Sequence, residues 1–165
     1  MAYAALALAR AGDVPRAEAL LNRLTAHAEP GTAMKNILLP GIRAALALDR
    51  GDPAAAVEEL RAAAPYDLGQ EANGVTLYYR GLAYLQLKSG KEAEAQFQKI
   101  AENRGIVDID IYWPLAHLGL ARARAVQGDA VKARAAYENF FSQWKGADPD
   151  LRILKQAKAE YATLP

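Results

Sequence analysis

The chain contains no cysteine, only two histidines and no long apolar run, and each absence removes a class of function. Without cysteine there is no disulfide, no thiolate metal site and no thiol nucleophile. The redox compartment stays open, because a Cys-free chain suits either side of a membrane. No stretch approaches the ~20 consecutive apolar residues that span a bilayer. An excess of one charge is missing too: 20 Lys and Arg stand against 19 Asp and Glu, a formal +1. No global field therefore draws nucleic acid or an anionic membrane, and neither is expected as a partner. There is no Gly-rich nucleotide loop, no His-Arg-Asp loop and no Asp-Phe-Gly, so neither a kinase nor a nucleotide cofactor is implied. The apolar start, MAYAALALAR, lacks the basic segment of a secretory signal and reads as a helix. The expectation is a soluble, cytoplasmic protein.

What the chain does have is enough apolar content to fold, 52% of 165 residues, and a repeated plan. ALALARAGDVPRAEALL, AALALDRGDPAAAVEEL, GLAYLQLKSGKEAEAQF and GLARARAVQGDAVKARAAY each pair an Ala-rich helix with a tight turn and a second helix. Their anchor alanines, Ala17, Ala56, Ala93 and Ala133, are 39, 37 and 40 residues apart, a period of helical solenoids. No heptad crosses the turns, which excludes a long coiled coil. In Gly12-Asp13, Gly51-Asp52-Pro53 and Gly128-Asp129 the Gly can end one helix in the left-handed conformation. The Asp can then cap the next helix, and Pro53 suits its first position.

These residues resemble the tetratricopeptide repeats. The third repeat carries Gly81, Tyr84, Ala93 and Phe97 in register, with Arg80 at a Leu position; the fourth carries Leu120, Ala121, Ala133, Tyr137 and Phe140. The second offers Ala44, Ala56, Leu60, Ala63 and Pro65, and the first Ala5, Leu8, Ala17, Leu21, Leu24 and Pro30. The resemblance implies an all-α, right-handed α–α superhelix of about four helical hairpins plus a C-terminal capping helix. It is expected to form a single domain over 1–165, with repeats at 1–30, 34–66, 73–104 and 111–147 and the capping helix at 149–163. Pro40 predicts a start or kink in the second repeat's first helix, and Pro114 the start of the fourth's. Asp148-Pro149 reads as the cap and first turn of the last helix. The chain also resembles the C-terminal repeat region of certain bacterial multidomain serine/threonine kinases and winged-helix regulators. That resemblance implies a fragment of a longer protein, acting as a regulatory or self-association tail.

Candidate chemistry is sparse. His27 and His117 are 90 residues apart, and His117 falls where the family packs a bulky ring, so it reads as a packed imidazole. Asp108 and Asp110 form a close acid pair with no third ligand in view, and Asp110 can equally cap a helix. The basic residues of ARARAVQGDAVKARAAY read as a solvated face, since few aromatics are interleaved for base stacking. No catalytic residue, cofactor or metal is therefore expected. The resemblance places function in the concave groove of first helices, whose facing positions are Leu38, Asp49, Tyr78, Tyr79, Leu82, Gln86 and Arg122. The Lys, Asn and Arg set by which some family members clamp a C-terminal carboxylate is missing: Leu38, Gly41, Ala45, Tyr78, Leu82 and Leu118 stand in its places. A protein or peptide partner with an apolar or aromatic segment is the expectation, with self-association through the uncapped first helix as the alternative.

Overall fold

A computed structural model of the chain describes residues 1–26, 31–69, 72–105 and 111–165. Among them are nine α-helices and no strand. α1 (Ala2–Arg10) and α2 (Val14–Thr25) form the first hairpin. α3 (Leu39–Asp49) and α4 (Pro53–Glu59) form the second, and α5 (Val75–Gln86) and α6 (Gly90–Glu102) the third. α7 (Tyr112–Val126) and α8 (Ala130–Gln143) form the fourth, and α9 (Arg152–Ala162) packs on α8. The first helices α1, α3, α5 and α7 lie side by side as neighbours. This is the expected α–α superhelix of four hairpins and a closing helix.

Local chemistry explains the turns. Gly12, Gly51 and Gly128 take φ of 79°, 75° and 80°. The Asp that follows each accepts a backbone N–H: Arg16 to Asp13 at 3.4 Å, Ala55 to Asp52 at 3.0 Å and Lys132 to Asp129 at 3.0 Å. The third turn departs from this plan. Lys88 occupies the left-handed position with φ 60°, at a cost a glycine would avoid, and Ser89 makes no side-chain cap. The glycine sits two residues later, at Gly90, where a Cβ would lie 2.9 Å from the Ala123 carbonyl oxygen. There α6 needs close approach to α7 more than a relaxed turn.

Three places refine or depart from what the sequence suggests. Pro40, where a start or kink was expected, is the second residue of α3, and the irregularity lies just before it. Helical structure starts at Thr32 and passes through a π turn, Met34–Leu38, in which Leu39 N–H reaches back five residues to the Met34 carbonyl. The wider turn accommodates the proline's missing donor and its clash with the carbonyl four residues before it. At the other end α9 begins at Arg152, because the Asp148 carboxylate accepts Asp150 N–H at 2.8 Å and holds Pro149 in a turn. Arg80, at the family's Leu position, is buried as an ion pair. Its guanidinium donates to Asp67 Oδ2 at 2.8 Å and Oδ1 at 3.1 Å, to the Leu60 carbonyl at 2.9 Å and to Gln96 at 3.1 Å. Thr76 Oγ1 completes the Asp67 shell at 2.8 Å. The pair fastens the connection after α4 onto α5. Pro114 lies two residues inside α7, near the start it was expected to mark. Pro30 lies outside the described residues.

The core of the third and fourth hairpins is set by one ring. Phe97 on α6 is fully buried between α5 and α7. A Cβ added at Gly81 would stand 2.6 Å from its Cζ, and one added at Gly119 2.5 Å from its Cδ1. The two glycines are thus the two faces of the slot that holds the ring.

Two predictions follow from this packing. Gly81→Ala and Gly119→Ala should each destabilise the fold by about 1–3 kcal/mol, although alanine favours a helix by up to ~1 kcal/mol. Urea unfolding monitored by circular dichroism would show it, and a gain in stability would refute the slot. Asp67→Ala strands a buried guanidinium and should cost about 3–5 kcal/mol. The double change Asp67→Leu with Arg80→Met should cost clearly less, and equal losses would show that the pair is not the anchor.

Candidate functional site

The inner face of the superhelix is strongly curved. In a flat stack, three interaxial steps of roughly 9 Å would separate α1 from α7 by about 27 Å. Instead the Arg10 guanidinium at the end of α1 lies 5.8 Å from the Tyr112 ring of α7 and 5.5 Å from the Tyr78 ring of α5. Beneath it Tyr78 contacts Tyr112 at 5.0 Å, Tyr79 at 5.6 Å and Phe97 at 6.0 Å between ring centroids. Burial raises the Tyr78 phenol above its usual 10.0, against the opposing pull of Arg10 and Arg122. This aromatic cluster is the floor of the inner face.

Over it opens a cleft of about 180 Å³ lined by all four first helices and their approaches. α1 supplies Tyr3, Leu6, Ala7 and Arg10; the second hairpin supplies Leu38; the third Ala72, Asn73, Val75 and Tyr79; the fourth Ile111 and Tyr112. Its rim exposes large apolar surface, with Tyr3 at 57% and Ile111 at 47%.

The seven groove positions expected from the sequence separate into three groups. Leu38 and Tyr79 line the cleft, and Tyr78 lies buried under it with 7% of its surface accessible. Asp49, Leu82 and Gln86 lie away from it. Asp49 is exposed beside the first hairpin's turn, Leu82 is half-buried against the core, and Gln86 reaches the Leu48 carbonyl at 3.4 Å. Arg122 is engaged by α9: it donates to Glu160 at 2.9 and 3.0 Å, and Tyr137 donates to the same carboxylate at 2.9 Å. Burial and the Glu160 charge push the Tyr137 phenol far above its ordinary value. Tyr3, Leu6, Arg10, Val75, Ile111 and Tyr112 are cleft residues that sequence reasoning missed. Their only signal was the apolar face of the first helix and the aromatic pair ahead of Pro114.

The other candidates resolve as packing. His117 is half-buried, edge-on to Trp113 at 4.8 Å, with Nδ1 3.4 Å from the Asn139 amide and Nε2 buried without a hydrogen-bond partner. Arg124 donates to Glu94 at 2.8 Å. Burial opposes the Glu94 charge, but hydrogen bonds from Arg124 and Gln127 leave its carboxyl below its ordinary value. Lys132 pairs with Asp129 at 2.8 Å, and Arg134 lies over Tyr161 while donating to the Leu164 and Pro165 carbonyls. Arg124 thus ties α7 to α6 and Arg134 ties α8 to the C-terminal end, while the Lys132 pair lies exposed at a single turn. His27, Asp108 and Asp110 lie outside the described residues. Among the described residues no helix is long and apolar enough to cross a membrane, and no group of three potential metal ligands occurs.

Comparison with known families matches residues 1–23, 41–62 and 114–139 to the tetratricopeptide repeat. The matches fall on the first, second and fourth hairpins, and the third joins the same stack of first helices. Neither the curated proteins nor the solved structures return a match.

His117 gives a pH prediction. Burial, and then the Arg124 charge, hold the imidazole below its ordinary 6.5. The unfolded chain therefore takes up the proton first as pH falls. The stability contributed by neutral His117 is present above about pH 6.5 and is lost as pH falls through the window below it. Urea midpoints should decline from neutral pH toward pH ~5.5, and His117→Gln should flatten that decline. An unchanged slope would assign it to another group.

Proposed function

Given that the chain is a tetratricopeptide repeat protein, we propose that it is a non-enzymatic protein-interaction module holding an extended segment of a partner in the inner cleft. The observation that carries this reading is the cleft itself: an apolar channel shared by all four hairpins, with Tyr3 and Ile111 exposed at its rim. Exposed aromatic and aliphatic groups beside a rigid ring floor suit an occupant that buries apolar side chains. Leu38 lies half-buried in the channel and supplies contact area; Tyr79 and Tyr78, both nearly covered, support it from below.

A second reading, a regulatory tail that self-associates through α1, draws on the same exposed surface at Met1 and Tyr3. The residue that would report it is Tyr3. Leu6 is buried within the chain against the second hairpin, so a charge there would disturb folding before it disturbed a dimer.

Peptides selected by phage display on the folded protein test the first reading. Tyr3→Glu and Leu38→Glu should weaken the selected peptides roughly tenfold or more, since each sets a charge on an apolar contact, while Lys158→Glu on α9 should not. Peptides indifferent to both cleft changes would sink it. Sedimentation of the unliganded protein separates the second reading: a dimer broken by Tyr3→Glu supports it, and a wild-type monomer at high concentration removes it.

A further inference from the structure

Arg10 is held in an unusual way for an exposed cation. Its guanidinium lies over the Tyr78 and Tyr112 rings at 5.5 and 5.8 Å, at the mouth of the apolar cleft. A cation–π contact attracts the guanidinium charge but supplies no conventional acceptor for its N–H donors. Among the described residues no carboxylate pairs with it: the arginines that find one are Arg16, Arg43, Arg50, Arg61, Arg80, Arg122 and Arg124.

The opposite side of the same cluster shows what such a group accepts. Arg122 takes Glu160 through two hydrogen bonds, the fork geometry that carboxylates favour. Arg10 and Arg122 both act on the Tyr78 hydroxyl, so among the described residues the cluster carries two cations and one carboxylate. The charge left over is positive, preorganised by two rings, and set beside Leu6, Leu38 and Val75.

We propose that the Arg10 end of the cleft is a carboxylate-recognition site, taking a partner segment that places a carboxylate next to an aliphatic or aromatic side chain. The site rests on the groove reading and names the chemistry of its occupant. The apolar side chain fills the cleft between α1, Leu38 and α5, and the carboxylate meets the guanidinium N–H donors. Preorganisation by the two rings reduces the rotamer entropy lost on binding. This arrangement does not use the positions of a polar clamp along the first helices, which hold Leu38, Gly41, Ala45, Tyr78, Leu82 and Leu118.

Two pairs of short peptides test the site by amide shift titration of the labelled full chain. One pair is acetyl-Gly-Leu-Phe-Glu-Gly amide and its Gln counterpart; the other is acetyl-Gly-Leu-Phe with a free carboxylate and its amide. Within at least one pair the carboxylate member should bind roughly tenfold more tightly, the increment of a charge-assisted hydrogen bond. The pair that shows it tells whether a side chain or a chain terminus is the source. Shifts should centre on Ala7, Leu38 and Val75. Arg10→Gln should erase the preference while keeping the weaker apolar binding, and Arg10→Lys should retain part of it. Equal affinities within both pairs, a preference that survives Arg10→Gln, or no shift from any peptide overturns the site. Failure of the groove reading looks different: shifts concentrated on α2, α6 and α8 would place binding on the other face.

Discussion

The ring of Phe97, held by its faces between Gly81 and Gly119, sets the spacing on which the inner face depends. α6 carries the ring, and α5 and α7 approach each other only as closely as its thickness and the two missing side chains allow. That approach brings Tyr78 to 6.0 Å from Phe97 and 5.0 Å from Tyr112. A helical hairpin has two apolar faces and can bury the second only against its neighbour. Here the neighbour contact is not a general hydrophobic seam but a slot of one ring's width, and the aromatic floor of the cleft is built on its inner edge.

Curvature follows from the same small residues. Stacked hairpins turn by a fixed amount per repeat, so the contact between Arg10 on α1 and Tyr112 on α7 records the sum of three such turns. The Arg80–Asp67 pair holds one of these steps, since it locks the chain between α4 and α5 to the body of α5. A buried pair is weak evidence for net stability against an apolar alternative. Its directional hydrogen bonds to Leu60 and Gln96 nevertheless fix one arrangement of the connection, which a leucine at this position could not do.

Much of the fold was legible because it is encoded within a few residues. Gly-Asp turns, anchor alanines and the Asp52-Pro53 start depend on neighbours in sequence, and they sit as the pattern indicates. The exceptions are places where a distant partner decides. Lys88 bears a left-handed conformation because Gly90 is needed against Ala123, 33 residues away in sequence. Arg80 reads as a mismatch until Asp67 is seen opposite it. The π turn before Pro40 and the Asx turn at Asp148 are local, but each competes with an ordinary helix start that the same residues also permit.

The inner face was legible only as a direction. Register along a first helix says which side chains point inward, and Leu38 and Tyr79 do line the cleft. Availability is a separate property, set by what else the chain brings to that face. Arg122 points inward and is already satisfied by Glu160, 38 residues later, whereas Arg10, from the last turn of α1, reaches the centre of the floor. A helix periodicity cannot distinguish these two arginines, because the difference lies in α9 and in the accumulated curl of the stack. For a solenoid of this kind the residues that recognise a partner are therefore best sought among inward cations and rings whose own chain leaves them an open edge. Their match to a family pattern is the weaker guide, since that pattern places small residues for packing between helices and says little about what the face they create will hold.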